Sequence, residues 1–218
     1  MIPRKLHFIW VGDESKRPDN CIDTWKRKHG TEWEIKVWGN DDLARPSGWK
    51  LGRHMAEMSK RELNGVADIM RWEILHEYGG IVIDADSTCE LALPEFMLFN
   101  EAFACWENEM VRPGLIAAGY VGSVPGNPFM MTLIKQIHDI PPEELLGRGR
   151  AWKTVGPLLL TEMYRACRYW SLHIFPSYYF IPEHFSGVKY QGSGPVYAKQ
   201  MWGSTKRSYD SLYLRKDI

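Results

Sequence analysis

The 218-residue chain contains no run approaching 18 apolar residues, and its first residues lack the long apolar core of a secretory leader. No membrane span and no cleavable signal are therefore expected. A cytoplasmic setting is the expectation, with a bacterial or large-virus source fitting an unanchored chain. No N-x-S/T sequon occurs. The four cysteines, Cys21, Cys89, Cys105 and Cys167, are widely spaced and form no C-x-x-C pair, which points to reduced structural thiols rather than a disulfide framework. The seven histidines fall at neither H-x-x-x-H nor H-E-x-x-H spacing, so no zinc site is expected. Charge of either sign is also missing in excess. Lys plus Arg and Asp plus Glu each total 27, so bulk attraction to nucleic acid or to an anionic membrane is not expected.

What is present is an ordinary globular composition, 44% hydrophobic and 25% charged, in a length that suits one domain spanning residues 1–218. Ten tryptophans are many for this length; most belong in a core, but such rings also stack on bases and sugars. KLHFIWVG (5–12) reads as a buried strand, 19–29 as a helix and EIKVW (34–38) as a second strand closed by Gly39-Asn40 and Asp41-Asp42. Residues 42–65 read as polar, irregular and partly helical. A helix over 66–78, a strand over 81–86, strands at 102–106 and 117–123, and an amphipathic helix over 127–139 with Pro128 near N1 follow. A basic, Gly-rich linker (147–150) precedes a helix from Pro157 to about Tyr169 and a last strand at 172–176. Strands alternating with helices predict an α/β domain with a mixed, mainly parallel sheet flanked by helices. From Ser177 onward the Tyr-, Gly-, Pro- and Ser-rich chain reads as irregular, with 186–218 a tail folded over the site.

The most informative segment is VADIMRWEILHEYGGIVIDADS, residues 66–87. Asp68 and Arg71 lie three apart on one helix face. After Gly79-Gly80 an apolar strand delivers Asp84 and Asp86 at its C-terminal end, where open α/β sheets collect ligands. Two neighbouring carboxylates suit Mg²⁺ or Mn²⁺, cations that keep waters and share positions with substrate phosphates. The Asp68–Arg71 pair reads either as a solvated surface pair or as a grip on adjacent sugar hydroxyls. Trp10, at the end of the first strand beside Gly12, reads as a core ring or as a platform for a flat base, with Gly12 permitting close approach. Lys135, His138 and the basic 147–153 cluster read as solvated faces or an acceptor-binding rim.

Together, IPRKLHFIWVG, ADIMRWEILHEYGGIVIDADS, KTVGPLLLT and YAKQMWGST resemble the D-x-D sugar-transferase family that includes yeast-type α-mannosyltransferases and bacterial capsular sugar transferases, glycosyltransferase family 32. The resemblance extends discontinuously over about residues 2–204. It implies a GT-A fold and a Mn²⁺- or Mg²⁺-dependent transfer from a nucleoside diphosphate sugar to a glycan or glycoconjugate hydroxyl, with retention at the anomeric carbon. By the same resemblance Trp10 stacks on the base, Asp68 and Arg71 hold the donor sugar, Asp84 binds ribose or sugar and assists the metal, and Asp86 ligates it. Gly156-Pro157 opens a helix lining the acceptor side, and Trp202 belongs to the donor site. Where the family usually carries His, two residues before that Trp, this chain has Gln200, a weaker ligand. Ser204, Lys206 and Arg207 stand near enough in sequence to compensate at the diphosphate. A UDP-sugar is the first expectation, because a strand-end Trp suits uracil, and a GDP-sugar the second.

Two other readings compete. Asp84, Asp86 and Thr88 spell the D-x-D-x-T of haloacid dehalogenase-type phosphatases, but the downstream aspartates, Asp139, Asp210 and Asp217, form no pair of the kind those enzymes need. A nucleotide-sugar-binding module without turnover is the other, resting on Gln200.

Overall fold

The computed structural model describes residues 1–44 and 48–218. Part of the 42–65 stretch, residues 45–47, lies outside the described residues. Chain order gives β1 (Lys5–Ile9), α1 (Asp19–His29), β2 (Glu34–Trp38), α2 (Asn40–Leu43), α3 (Gly52–Ser59), α4 (Leu63–Tyr78), β3 (Gly80–Asp84) and β4 (Ser87–Cys89). There follow β5 (Ala102–Asn108), β6 (Arg112–Ser123), α5 (Pro128–His138), α6 (Ala151–Thr154), α7 (Pro157–Cys167) and β7 (Leu172–Phe175). The chain closes with β8 (Ala198–Gln200), α8 (Gly203–Lys206) and α9 (Tyr209–Leu212).

Six strands form one sheet in the order β2-β1-β3-β6-β5-β7. β1 pairs in parallel with β2 and β3, and β5 with β7; β6 alone runs against its neighbours, β3 and β5. The expected mixed, mainly parallel α/β sheet is thus present. Its strands alternate between two cores, as period-2 side-chain geometry requires. Leu6, Phe8, Ile81, Ile83 and Phe103 face one core with Ile22 and Trp25 of α1. Ile9, Val82, Ala102 and Ala104 face the other, built from α3, α4, α5 and α7. Burial on both faces explains why β3 begins as an unbroken apolar run.

The α4–β3 junction depends on glycine. Gly79 and Gly80 both adopt positive φ (63° and 90°), and a Cβ on Gly79 would lie 2.7 Å from the Pro125 backbone nitrogen. Helix α4 begins at Leu63, three residues ahead of the expected start, and β3 ends at Asp84 rather than at Asp86. Asp86 instead sits in the turn between β3 and β4. The tail is more regular than expected: β8 pairs antiparallel with β4, setting Gln200 opposite Ser87. All four cysteines are free, Cys167 being the exposed one. Among the described residues no helix is long and apolar enough to cross a membrane.

Candidate active site

The C-terminal ends of β1 and β3 lie side by side, Ile9 opposite Asp84. Beyond them opens a cleft of about 740 Å³. Asp84, Asp86, Asp68 and Arg71 all line it. Arg71, only 4% exposed, reaches from α4 to Asp84, Nη2 donating to Oδ1 at 2.7 Å, and stands 3.6 Å from Asp68 Oδ1. The solvated-pair alternative for Asp68 and Arg71 therefore does not describe them: both are buried. Burial pushes the Asp68 carboxyl up to about 7 against the pull of the Arg71 charge. Arg71 remains a cation, its pKa raised by Asp84 and Asp68 in spite of desolvation. Its Nε and Nη1 are buried without a hydrogen-bond partner, an arrangement that costs free energy unless another group supplies acceptors.

Small residues make room for these carboxylates. A Cβ on Gly119 of β6 would fall 2.6 Å from Asp84 Oδ2, and one on Gly156 would fall 2.5 Å from Asp68 Oδ2. Gly156 is thus the residue against which Asp68 packs, while Pro157 at the start of α7 lines the cleft.

Asp86 is 4% exposed. Its Oδ2 accepts from Gly203 N at 2.6 Å and its Oδ1 from Gln200 Nε2 at 2.9 Å. Burial and the neighbouring Asp84 charge raise its pKa, those two donors opposing. Gln200 Nε2 also stands 3.4 Å from Asp84 Oδ2, so one amide spans both carboxylates. Its carbonyl oxygen is turned the other way and accepts from Tyr120 Oη at 2.9 Å; the same hydroxyl stands 2.7 Å from Ser87 Oγ.

Asp84 and Asp86 are the two carboxylates that could hold a hard divalent cation; among the described residues no group of three or more His, Cys, Asp or Glu side chains is placed to hold a metal ion. The remaining positions would then fall to water and phosphate oxygens, the usual state of Mg²⁺. Gln200 would join only by turning its amide so that the carbonyl faces the carboxylates.

One wall comes from the loop after β1 and from the tail. Trp10 is half-buried; its Nε1 donates to Asp13 O at 2.9 Å, and its ring meets Tyr209 edge-on at 4.9 Å. Trp10, Trp202, Ser204 and Tyr209 all line the cleft, whereas Gly12 does not. Gly12 is fastened by Asn40, whose side chain accepts from its N–H at 2.8 Å and donates to its carbonyl at 2.9 Å. Positive φ at Gly12 (111°) shapes the loop that carries Trp10. Trp202 Nε1 donates to Glu183 O at 2.9 Å. Lys206 lies instead along a second groove, and Lys135 and His138 are exposed on α5. Thr88 faces Glu90 and Lys199 in the β4–β8 ladder, away from the aspartates.

No protein-family profile matches the chain. By sequence it is similar to mannosyl phosphorylinositol ceramide synthase CSH1 of Saccharomyces cerevisiae, 30% identical over 105 residues, 48% of this chain and 27% of that protein. It is also similar to inositol phosphoceramide mannosyltransferase 1 of Schizosaccharomyces pombe, 23% identical over 77% of this chain and 52% of that one. The uncharacterized glycosyltransferase L373 of Acanthamoeba polyphaga mimivirus is 28% identical over 63% of this chain and 56% of its own. The chain spans from about a quarter to about half the length of the curated relatives matched first.

By structure it resembles the PaToxG glycosyltransferase, with TM-score 0.54 at 14% identity over 77% of this chain and 70% of that one. The UDP-bound glycosyltransferase domain from the YGT toxin follows, at TM-score 0.51 and 9% identity over 80% and 79%. These likenesses establish the fold: the GT-A-type architecture expected from the sequence is the one present.

Tyr120, Tyr209, Gly119, Glu107 and Arg112 also line the cleft without having been singled out from the sequence. Only Gly119, in the small-residue run before Tyr120, left a local signal, since a carboxylate occupies the space a side chain would fill. The others meet through tertiary contacts that no spacing announces.

Proposed function

We propose that the chain is a metal-dependent glycosyltransferase of the D-x-D type, moving a hexosyl group from a nucleoside diphosphate sugar to a hydroxyl of a glycan or glycoconjugate. The observation that carries this is the Asp84–Arg71–Asp86 cluster: two carboxylates and a buried arginine with unmet donors, at the carboxyl edge of parallel strands, on the floor of a ligand-sized cleft. Asp84 and Asp86 would hold Mn²⁺ or Mg²⁺. The cation supplies Lewis-acid stabilisation of the departing diphosphate. Asp68 and Arg71 would hold the donor sugar, and Trp10 with Tyr209 the base. Gln200, Trp202 and Ser204 form the tail's side of the donor site, tied to Asp86 through Gly203 N–H.

We assign no covalent nucleophile among the described residues, and transfer with retention would then proceed by attack of the acceptor on the face the leaving group vacates. The names of the curated relatives favour a mannosyl group. The uridine nucleotide in one structural neighbour and the strand-end Trp10 favour a UDP-sugar, with a GDP-sugar second.

Calorimetry with a panel of UDP- and GDP-sugars, with and without Mn²⁺, tests the proposal. Tight binding of one donor only when Mn²⁺ is present is the expected result. Equal binding with and without the metal would remove the cation from the scheme, and binding of no nucleotide sugar would remove the whole assignment.

A further inference from the structure

At the hairpin between β5 and β6, the two strand ends carry opposite charges into the cleft. Glu107 comes from β5 and Arg112 from β6, and both line it. The turn between them is held by Asn108, whose Oδ1 accepts from Met110 N at 3.0 Å and Val111 N at 2.8 Å. Glu107 is 8% exposed, and its Oε1 takes both of its partners: Arg112 Nε at 3.4 Å and His184 Nε2 at 3.3 Å. His184, 1% exposed, meets Ser186 at Nδ1, with N at 3.2 Å and Oγ at 2.8 Å, and Glu107 at Nε2. The opposite charges of Glu107 and Arg112 cancel across their pair.

Two aromatic rings lie beside Arg112. The Arg112 guanidinium lies 5.3 Å from the Trp152 ring centroid and 5.9 Å from that of Phe185. Phe185 in turn meets Trp202 edge-on at 5.1 Å. Glu107 Oε2 keeps its lone pairs, and the Arg112 fork has donors beyond Nε.

Such a site selects by chemistry. An anion drawn to Arg112 would stand against the Glu107 carboxylate, and a cation drawn to Glu107 would stand against Arg112. A ring with adjacent hydroxyls meets both groups at once, because one hydroxyl donates to a carboxylate while its neighbour accepts from a guanidinium. Its C–H faces lie against aromatic rings, as apolar surfaces do in ligand sites.

We propose that this hairpin end of the cleft is a subsite for an uncharged, polyhydroxylated ring, the acceptor of the transfer. The role as acceptor site rests on the glycosyltransferase assignment; the capacity to bind the ring does not.

The experiment measures binding of methyl hexosides, myo-inositol and inositol phosphate by saturation-transfer NMR and calorimetry. It compares the wild type with Arg112→Gln and Glu107→Gln, and measures nucleotide-sugar affinity for each protein in parallel. Arg112 is partly exposed, so its variant tests the site even where Glu107→Gln disturbs His184 and the local fold. The expected result is neutral-ring binding weakened at least tenfold by either substitution, donor affinity within twofold of wild type, and inositol phosphate binding no tighter than inositol. Ring binding unchanged in both variants overturns the proposal. So does tighter binding of the phosphorylated probe, a parallel loss of donor affinity, or no ring binding to the wild type. Ring binding that depends on these residues in a protein that transfers no sugar would instead sink the transferase assignment and leave the ring subsite standing.

Discussion

Asp84 and Gln200 stand within 3.4 Å of each other, yet the segments that deliver them are built on different terms. Asp84 ends a strand buried on both faces, fed by a helix whose residues Val66, Ile69, Met70, Trp72, Ile74 and Leu75 are all fully buried. Gln200 ends a three-residue strand followed by two four-residue helices. Apart from the buried Ala198 and Leu212, that segment is held by polar ties: Gly203 N to Asp86, Lys16 to Asp210 at 2.5 Å, and Asn20 Nδ2 to the carbonyls of Leu212 and Arg215. Trp202 and Arg207, neither of them glycine, adopt positive φ of 60° and 51°, a backbone cost of about 1 kcal/mol or more each. The charged floor is fixed by apolar burial, while the wall beside it is attached by contacts that open at much lower cost.

If that contrast holds, damage to the floor registers in stability as well as in activity. The largest effect is expected from Arg71→Met, which leaves Asp68 and Asp84 without their buried cation. A loss of about 3–5 kcal/mol in denaturant unfolding is expected, and a loss below 1 kcal/mol would show the floor to be softer than its burial implies.

Next comes His7, beneath the Gly79 turn. Its Nδ1 accepts from Trp38 Nε1 at 3.2 Å and its Nε2 donates to Gly79 O at 2.9 Å, so both ring positions are committed to the neutral form. Burial lowers its pKa from 6.5 to about 4. Between those values the unfolded chain binds a proton that the native state refuses. The His7 contribution is therefore complete above pH 6.5 and is lost as pH falls to 4, by about 3 kcal/mol in all. Subtracting the His7→Gln stability curve from that of the wild type should isolate this slope; a flat difference would place the acid sensitivity elsewhere. Asp86→Asn, which keeps an acceptor for Gly203 N–H, should fold but lose metal-dependent donor affinity by about a hundredfold, read by calorimetry with Mn²⁺. Unchanged Mn²⁺-dependent affinity would take Asp86 out of the metal shell.

The same contrast decides what could be read from the chain. α1 over 19–29 and β2 over 34–38 match their expected bounds, because caps, breakers and hydrophobic period agree locally. The apolar start of β3 and its terminal Asp84 were legible for the same reason. Asp86 was read as the end of the strand but lies in the turn that follows it, since nothing local distinguishes a strand that continues to residue 86 from one that stops at Asp84. β6 begins at Arg112, well before the expected 117, because Pro113 and Gly114 look like a break and hairpin pairing with β5 overrides them. In the tail, β8 exists only through pairing with β4, and a strand of three residues carries no periodicity to detect. Tyr120, Tyr209 and the Glu107–Arg112 pair were illegible for the corresponding reason: their partners come from distant parts of the chain.

The smallest expected effect falls on the wall, and it sharpens the comparison most. Tyr209 meets Trp10 edge-on, and burial together with the charges of Asp86 and Asp84 raises the pKa of its hydroxyl, so it stays protonated across the working pH range. Tyr209→Phe keeps the ring and should leave donor affinity within about twofold. Tyr209→Ala removes the edge that holds Trp10 against the cleft, an aromatic contact worth about 0.5–1.5 kcal/mol. It should weaken the donor up to about tenfold while changing the unfolding free energy by less than half the loss seen for Arg71→Met. Hydrogen exchange at Gly203 and Ser204 should rise in the alanine variant without a matching rise in β3. A variant that lost stability as Arg71→Met does would mean that the tail is part of the folded core rather than a cover fastened to it.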